Sequence, residues 1–182
     1  GKMFTTLAIE KEMSARGIDC SFRATGQTGI FIAGDGVSVD AVVADFISGA
    51  TESLSPANDP GHWDLIEGQG SIHHAAYAGV TLGLIHGAQP DVLVLCHDPG
   101  RPHMRGTPSI PIHSLNETIE ACEKAARLTN KDVKTIGVAI NTSRMSDTER
   151  LRELEAATAE TGLVAIDPLR EGVASIVDQI IS

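Results

Sequence analysis

The chain is poor in aromatic residues: four Phe, one Tyr and one Trp make up 3% of its 182 positions. A core of this size must therefore be assembled from Val, Ile, Leu and Ala. Such a bias suits strands buried on both faces of a parallel sheet, which read as short aliphatic runs. Cysteine is scarce as well. Cys20, Cys96 and Cys122 are odd in number, scattered and free of CxxC spacing, which argues against a disulfide framework or a zinc site. No apolar run reaches the roughly 18 residues that a membrane-spanning helix needs. No Lys/Arg-rich stretch interleaved with aromatics is present, and the formal net charge is −10, so nucleic acid is not the expected partner. No signal peptide is visible, and the scattered cysteines make a reducing cytoplasm the expected location. In a chain this acidic, single basic residues matter wherever an anion must bind.

Present instead is a regular alternation. Residues 2–16 read as a helix stopped by Gly17. A strand is expected over 18–24, followed by a Thr/Gly loop at 25–29 and an apolar run over 30–33. Ser38 reads as the N-cap of a helix reaching about residue 53. Further strands are expected at 63–67, 91–96, 133–140 and 163–166. Further helices are expected at 75–87, 114–129, 146–161 and 171–181. Ser114 with Glu117 and Ser146 with Glu149 carry the spacing of capping boxes. The stretches 55–61 and 97–108, rich in Pro, Gly and polar residues, read as loops. Strict alternation predicts an α/β domain, a parallel sheet with helices on both faces, spanning 1–182 as one unit. Ligands of such sheets bind at the carboxyl ends of strands. The loops 24–29, 67–74 and 97–106 leave such ends.

The chain opens Gly1-Lys2-Met3 straight into a helix. Gly-Lys at a helix start is the tail of a phosphate-binding P-loop, whose backbone N–H groups and lysine hold phosphates. Gly1, Lys2, Met3, Phe4 and Thr5 are therefore the candidate cofactor-binding turn. A sheet of this class that opens with a helix lacks its usual first strand, so an upstream strand, carried by an N-terminal domain of the same protein, is expected beside the middle of the sheet. Met3 stands where a P-loop has the Ser or Thr that ligates Mg²⁺. Phosphate binding without Mg²⁺-dependent hydrolysis is the consequence.

Several other residues could carry chemistry. Glu67 ends a strand before Gly68-Gln69-Gly70, where glycines let a ligand approach the backbone; it is either a proton acceptor or a cap of the turn. His73 and His74 follow in the same loop, and either imidazole is suited to act as a base near neutral pH. His97 with Asp98 ends the 91–96 strand. Arg101 and Arg105 lie in a strand-end loop, where a guanidinium fork suits a carboxylate or a phosphate. Thr25, Gln27 and Thr28 are uncharged donors for phosphate or substrate. Asp35, between two glycines, is a turn former or an anchor for a substrate ammonium. Cys96 reads as a small apolar core residue. With no H-x-x-x-H or H-E-x-x-H pair, no metal site is expected.

The segments Gly1-Lys2-Met3, Ala24–Gly29, Gly34-Asp35-Gly36, Val39–Phe46, Glu67–Ser71 and His86–Asp91 occur in the order seen in a bacterial and archaeal family. The chain resembles the C-terminal P-loop domain of that family, long described as of unknown function and now as D-glutamate N-acetyltransferase-like. The resemblance is dense over residues 1–142 and continues by pattern beyond. It implies a preceding Rossmann-like domain and acetyl transfer from acetyl-CoA to the amino group of a small-molecule substrate, a D-amino acid such as D-glutamate. More distantly the layout is similar to dethiobiotin synthetase, which implies the alternative of an ATP-dependent ligase or kinase using Mg²⁺ held in part by Glu67. A non-catalytic nucleotide-binding module is the third possibility. A homo-oligomer is possible, though no stripe of residues marks its interface.

Overall fold

The computed structural model describes all residues, Gly1 to Ser182. Helix α1 (Lys2–Ala15) leads into β1 (Cys20–Arg23) and a short helix α2 (Gln27–Ala33). Helix α3 (Ile47–Leu54), strand β2 (Trp63–Ile66) and helix α4 (Ala78–Ala88) follow. Then come β3 (Val92–His97), β4 (His103–Met104), β5 (Thr107–Pro111), α5 (Leu115–Ala126), β6 (Lys134–Ile140), α6 (Asp147–Thr161), β7 (Val164–Ile166) and α7 (Ala174–Ile180).

The expected α/β architecture is present, with one division that alternation alone does not announce. Five strands pair in parallel, but in two pieces: β1 with β2, and β3 with β6 and β7 in the order β3-β6-β7. No ladder joins β2 to β3. Helices α1 and α7 cover one face. Ile9 and Met13 of α1 pack with Ile176, Val177 and Ile180 of α7 over Ile136 and Ile166. On the other face Leu115 of α5 and Leu154 of α6 pack on Val138 and Ile140, while Ile85 of α4 meets Ala125 and Ala126 of α5. A bulge shapes the join. The pairing partners of Leu93 and Val94 are Thr135 and Gly137, which leaves Ile136 as the extra residue. Ile136 therefore packs on the α7 face with Gly137, where a Cβ at Gly137 would sit 2.1 Å from Cδ1 of Ile176.

Three local expectations are corrected. The Thr/Gly loop runs directly into α2, because Gly26 adopts an extended N-cap conformation and Gly34 closes the helix at φ 78°. The helix expected from Ser38 is broken into two 3-10 turns, Val39–Ala41 and Ala44–Phe46, before α3 begins. Ser38 makes no capping bond, and its hydroxyl donates to Asp40 instead. The N–H of Val39 donates to the carbonyl of Thr25 and its side chain is fully buried, while Val42 is extended at ψ 139°. Stiff β-branched side chains and a tertiary anchor outweigh the helical spacing. Lastly, the loop 97–108 contains part of the small antiparallel β4–β5 hairpin, turned at Gly106 with φ 77°. No helix is long and apolar enough to cross a membrane.

Candidate functional site: a cleft at the strand ends

A cleft of about 370 Å³ opens at the carboxyl ends of β3 and β6, beneath the first turn of α1. Gly1, Lys2, Phe4 and Thr5 reach it from α1, His73 from the loop after β2, and Arg101 from the loop after β3. The remaining lining that matters chemically comes from His97, Asp98, His113 and Asp167.

The α1 turn is suited to an anion. Gly1 is the N-cap and supplies no side-chain acceptor, and no acidic residue stands in the first turn. The leading backbone N–H groups of the 14-residue helix therefore face the cleft end unopposed, with the positive end of the helix dipole behind them. Thr5 is turned inward: its hydroxyl donates to the carbonyl of Gly1 at 3.2 Å and it is buried. Met3 does not line the cleft.

Lys2 lies against the Glu67 turn. A Cβ on Gly68 would meet Cδ of Lys2 at 3.0 Å, so the glycine is what lets the lysine stem pass. Glu67 itself is 5% exposed and turned away from the cleft. Its Oε2 accepts the N–H of Thr25 at 3.1 Å, and its backbone carbonyl accepts the Thr25 hydroxyl at 2.6 Å. Gln69 Nε2 adds a third bond, donating to Thr25 Oγ1 at 3.1 Å. Glu67, Thr25 and Gln69 thus tie the ends of β1 and β2 together, a buried network whose acceptors are satisfied.

The two neighbouring histidines differ sharply. His74 is 7% exposed and engaged at both ring nitrogens: Nε2 donates to the carbonyl of Arg105 at 2.8 Å and Nδ1 accepts the N–H of Ala76 at 3.1 Å. Those partners fix the tautomer and tether the β4–β5 hairpin to the loop after β2. His73 instead stacks on His113, with ring centroids 3.9 Å apart and 22° between planes. Its Nε2 is buried without a hydrogen-bond partner. Burial, then the neighbouring His113, holds the His73 pKa below the usual histidine value, against a smaller opposing pull from Glu117. Within the cleft, His73 is accordingly an imidazole with an unpartnered nitrogen, its unprotonated form favoured at neutral pH. Burial likewise lowers the pKa of His97.

At the rim, Asp98 is ion-paired with Arg101, whose Nε lies 2.8 Å away, and accepts a hydrogen bond from Arg144 Nη2 at 2.9 Å. Both arginines are substantially exposed, which leaves their other N–H groups available. Asp167 is 2% exposed; it accepts from the Thr142 hydroxyl and from the Leu169 N–H at 2.9 Å, bonds that shape the turn after β7. Burial raises the Cys96 thiol pKa, in keeping with a packed apolar role.

The remaining sequence candidates lie elsewhere. Gln27 and Thr28 are exposed in the first turn of α2, and Asp35 is exposed with Oδ1 accepting the N–H of Gly36 at 2.7 Å. Thr25, Gln27, Thr28 and Asp35 do not reach the cleft. Sequence reading also passed over His113, Arg144 and Asp167. His113 directly precedes the Ser114 cap and stands four residues before Glu117, so a local signal existed, but its partner His73 is 40 positions away.

The family model described as "Domain of unknown function (DUF1611_C) P-loop domain" matches residues 1–177. A protein of Tritonibacter scottomollicae named D-glutamate N-acetyltransferase is 52% identical over 178 residues, covering 98% of this chain and 54% of its own length. A protein of the same name from a Pseudoalteromonas species is 53% identical, covering 97% of this chain and 53% of its own. The crystal structure of a DUF1611 family protein from Anabaena variabilis superposes with a TM-score of 0.93 at 37% identity, over 100% of this chain and 53% of that one. The chain spans about half the length of these relatives. Matched by that family model over residues 1–177 and more than half identical to two relatives that cover nearly all of it, the chain belongs to the DUF1611_C P-loop domain family.

Proposed function

We propose that this chain is the anion-binding half of an N-acetyltransferase that moves the acetyl group of acetyl-CoA to the amino group of D-glutamate. The observation that carries the reading is the juxtaposition of Lys2, at an uncapped helix start, with His73, whose buried Nε2 has no partner, in one cleft. Two similar proteins named for that reaction support it.

The residues fit the donor's phosphates: free N–H groups at the start of α1, the Lys2 ammonium and no opposing carboxylate in the first turn. A thioester brings an acetyl group that is already activated, so the protein need only position the amine and remove its proton. A substrate ammonium is not nucleophilic. His73, favoured in its unprotonated form, takes one proton from it; the freed amine lone pair attacks the acetyl carbon, and as the carbon–sulfur bond breaks the CoA thiolate takes up the second amine proton and leaves as the thiol. The stacking of His73 on His113 fixes the ring plane for that transfer. The N–H groups of Arg101 not turned to Asp98 receive a substrate carboxylate in this reading. Glu67, committed to the Thr25 N–H, supports the site from behind as a positioning residue.

The same cradle would accept the triphosphate of ATP, so the ligase or kinase reading is decided by titration. Calorimetry on the full-length protein should give saturable binding of acetyl-CoA in the absence of Mg²⁺. Binding of Mg²⁺–ATP without binding of acetyl-CoA defeats the proposal. His73→Gln should lower kcat by about 100-fold while leaving acetyl-CoA affinity within about twofold. An unchanged kcat would remove His73 from the role of base.

A further inference from the structure

Two loops meet at the mouth of the cleft, one following β3 from Asp98 and one following β6 from Asn141. Their roots are joined, because the N–H of Asn141 donates to the carbonyl of His97 at 2.9 Å. The second loop is also pinned from beneath. Thr142 is fully buried and donates its hydroxyl to Asp167, which the Leu169 N–H holds in place. Asn141 Oδ1 accepts the N–H of Ser143 at 3.2 Å, and the carbonyl of Thr142 accepts the N–H of Met145 at 2.9 Å. A turn closed at so many points gives Arg144 a fixed base beside the first loop.

Arg144 lies across that first loop. A Cβ on Gly100 would meet its Nη2 at 2.8 Å, so the glycine leaves room for the guanidinium. From there Nη2 donates to Oδ1 of Asp98, while Arg101 pairs with Oδ2 of the same carboxylate. One carboxylate cannot neutralise two guanidinium groups, so the cluster is left positive in a chain whose formal net charge is −10. A tie between the loops would need only one arginine. Two, each drawn to its own oxygen of Asp98, stand within about 8 Å of one another. The two carboxylate carbons of an extended glutamate lie about 5 Å apart. The spacing therefore suits a dicarboxylate, one end to each guanidinium.

We propose that Arg144 determines specificity by receiving the side-chain carboxylate of the amino-acid substrate, while Arg101 receives the carboxylate beside the amino group. The assignment rests on the acetyl transfer to D-glutamate proposed above. Arg101 lines the cleft together with His73, so it takes the end that carries the reacting amine. Arg144 stands farther out, over Gly100, and takes the other end. Asp98, between the two, offsets their mutual repulsion and holds both in place. A substrate with a neutral side chain forgoes the charge-assisted bonds to Arg144, and that loss is what sets the preference.

Steady-state kinetics on the full-length protein test this, with D-glutamate and with D-glutamine, whose side chain has the same shape and no charge. Arg144→Gln should lower kcat/KM for D-glutamate about 20-fold, chiefly through KM. D-glutamine, followed as a substrate or as a competitive inhibitor, should stay within about twofold of its value with the unsubstituted protein, as should the KM for acetyl-CoA. Equal losses for the two amino acids would mean general damage to the cleft and overturn the proposal. A raised KM for acetyl-CoA would give Arg144 to a donor phosphate, and a D-glutamate value changed by less than about threefold would give it no ligand; either also overturns it. If the unsubstituted protein transfers no acetyl group to D-glutamate, the functional reading itself fails and this inference falls with it.

Discussion

The chain up to α4 and the chain from β3 onward are built from the same alternation yet hold themselves together differently. From β3 onward, six of the seven residues of β6 are buried and both α5 and α6 begin with full capping boxes. Up to α4, β1 and β2 are half-buried along their whole length and none of α1 to α4 has a side-chain cap. Large apolar residues lie open there too, Phe31 at 89% and Phe46 at 66% exposure. The later region is fixed by local signals and a closed core. The earlier region depends on contacts made at a distance: the Thr25–Glu67 tie and the α3–α4 packing.

The largest test of that contrast is a pair of truncations. Ile140→Ala, at a fully buried β6 position, should cost about 2–5 kcal/mol by denaturant unfolding. Leu65→Ala in half-buried β2 should cost about 1 kcal/mol in the isolated chain. Equal costs would erase the contrast. Next comes Gly87→Ala. A Cβ there would sit 2.2 Å from the carbonyl oxygen of Ser48, so α3 and α4 must move apart, at about 1–3 kcal/mol, visible as a lowered Tm. A smaller loss of about 1 kcal/mol is expected for Ser146→Ala, whose hydroxyl accepts the Glu149 N–H at 3.4 Å and donates to its carboxylate at 2.7 Å.

The mildest effect is one of pH. His73 and His97, one on each side of the divide, have folded pKa values lowered chiefly by burial. A lowered histidine pKa means that the unfolded chain binds the proton more readily. Stability is therefore full above the unfolded value of about 6.5 and declines as pH falls from there through the folded value. A unfolding series at constant ionic strength should show that decline begin near the unfolded value; His73→Phe should flatten part of it. A flat profile down to pH 5 would remove the burial argument for His73.

How much was legible beforehand divides along the same line. The spacing of Ser114 with Glu117 and of Ser146 with Glu149 was sufficient to place two helix starts, because a capping box closes within four residues. The helix expected from Ser38 failed because the bond that decides it, Val39 to Thr25, joins segments that propensity treats separately. In the cleft, Gly1-Lys2 was readable as a helix start and His73 as a candidate imidazole. That His74 is held at both nitrogens while His73 keeps a free one could not be read from two adjacent letters: the difference is made by Arg105 and His113, more than 30 residues on.

By itself the sequence determined the parallel α/β order, the helix start at Gly1-Lys2 and the aliphatic strands from which the core is drawn. These follow from periodicity and from short-range hydrogen bonding, which a run of neighbouring residues fully specifies. Only the tertiary structure decided which imidazole faces the cleft, which carboxylate is spent on the backbone of Thr25, and that the sheet is parted between β2 and β3. Burial and the absence of a partner are properties of what surrounds an atom, and those surroundings come from segments far apart in the chain.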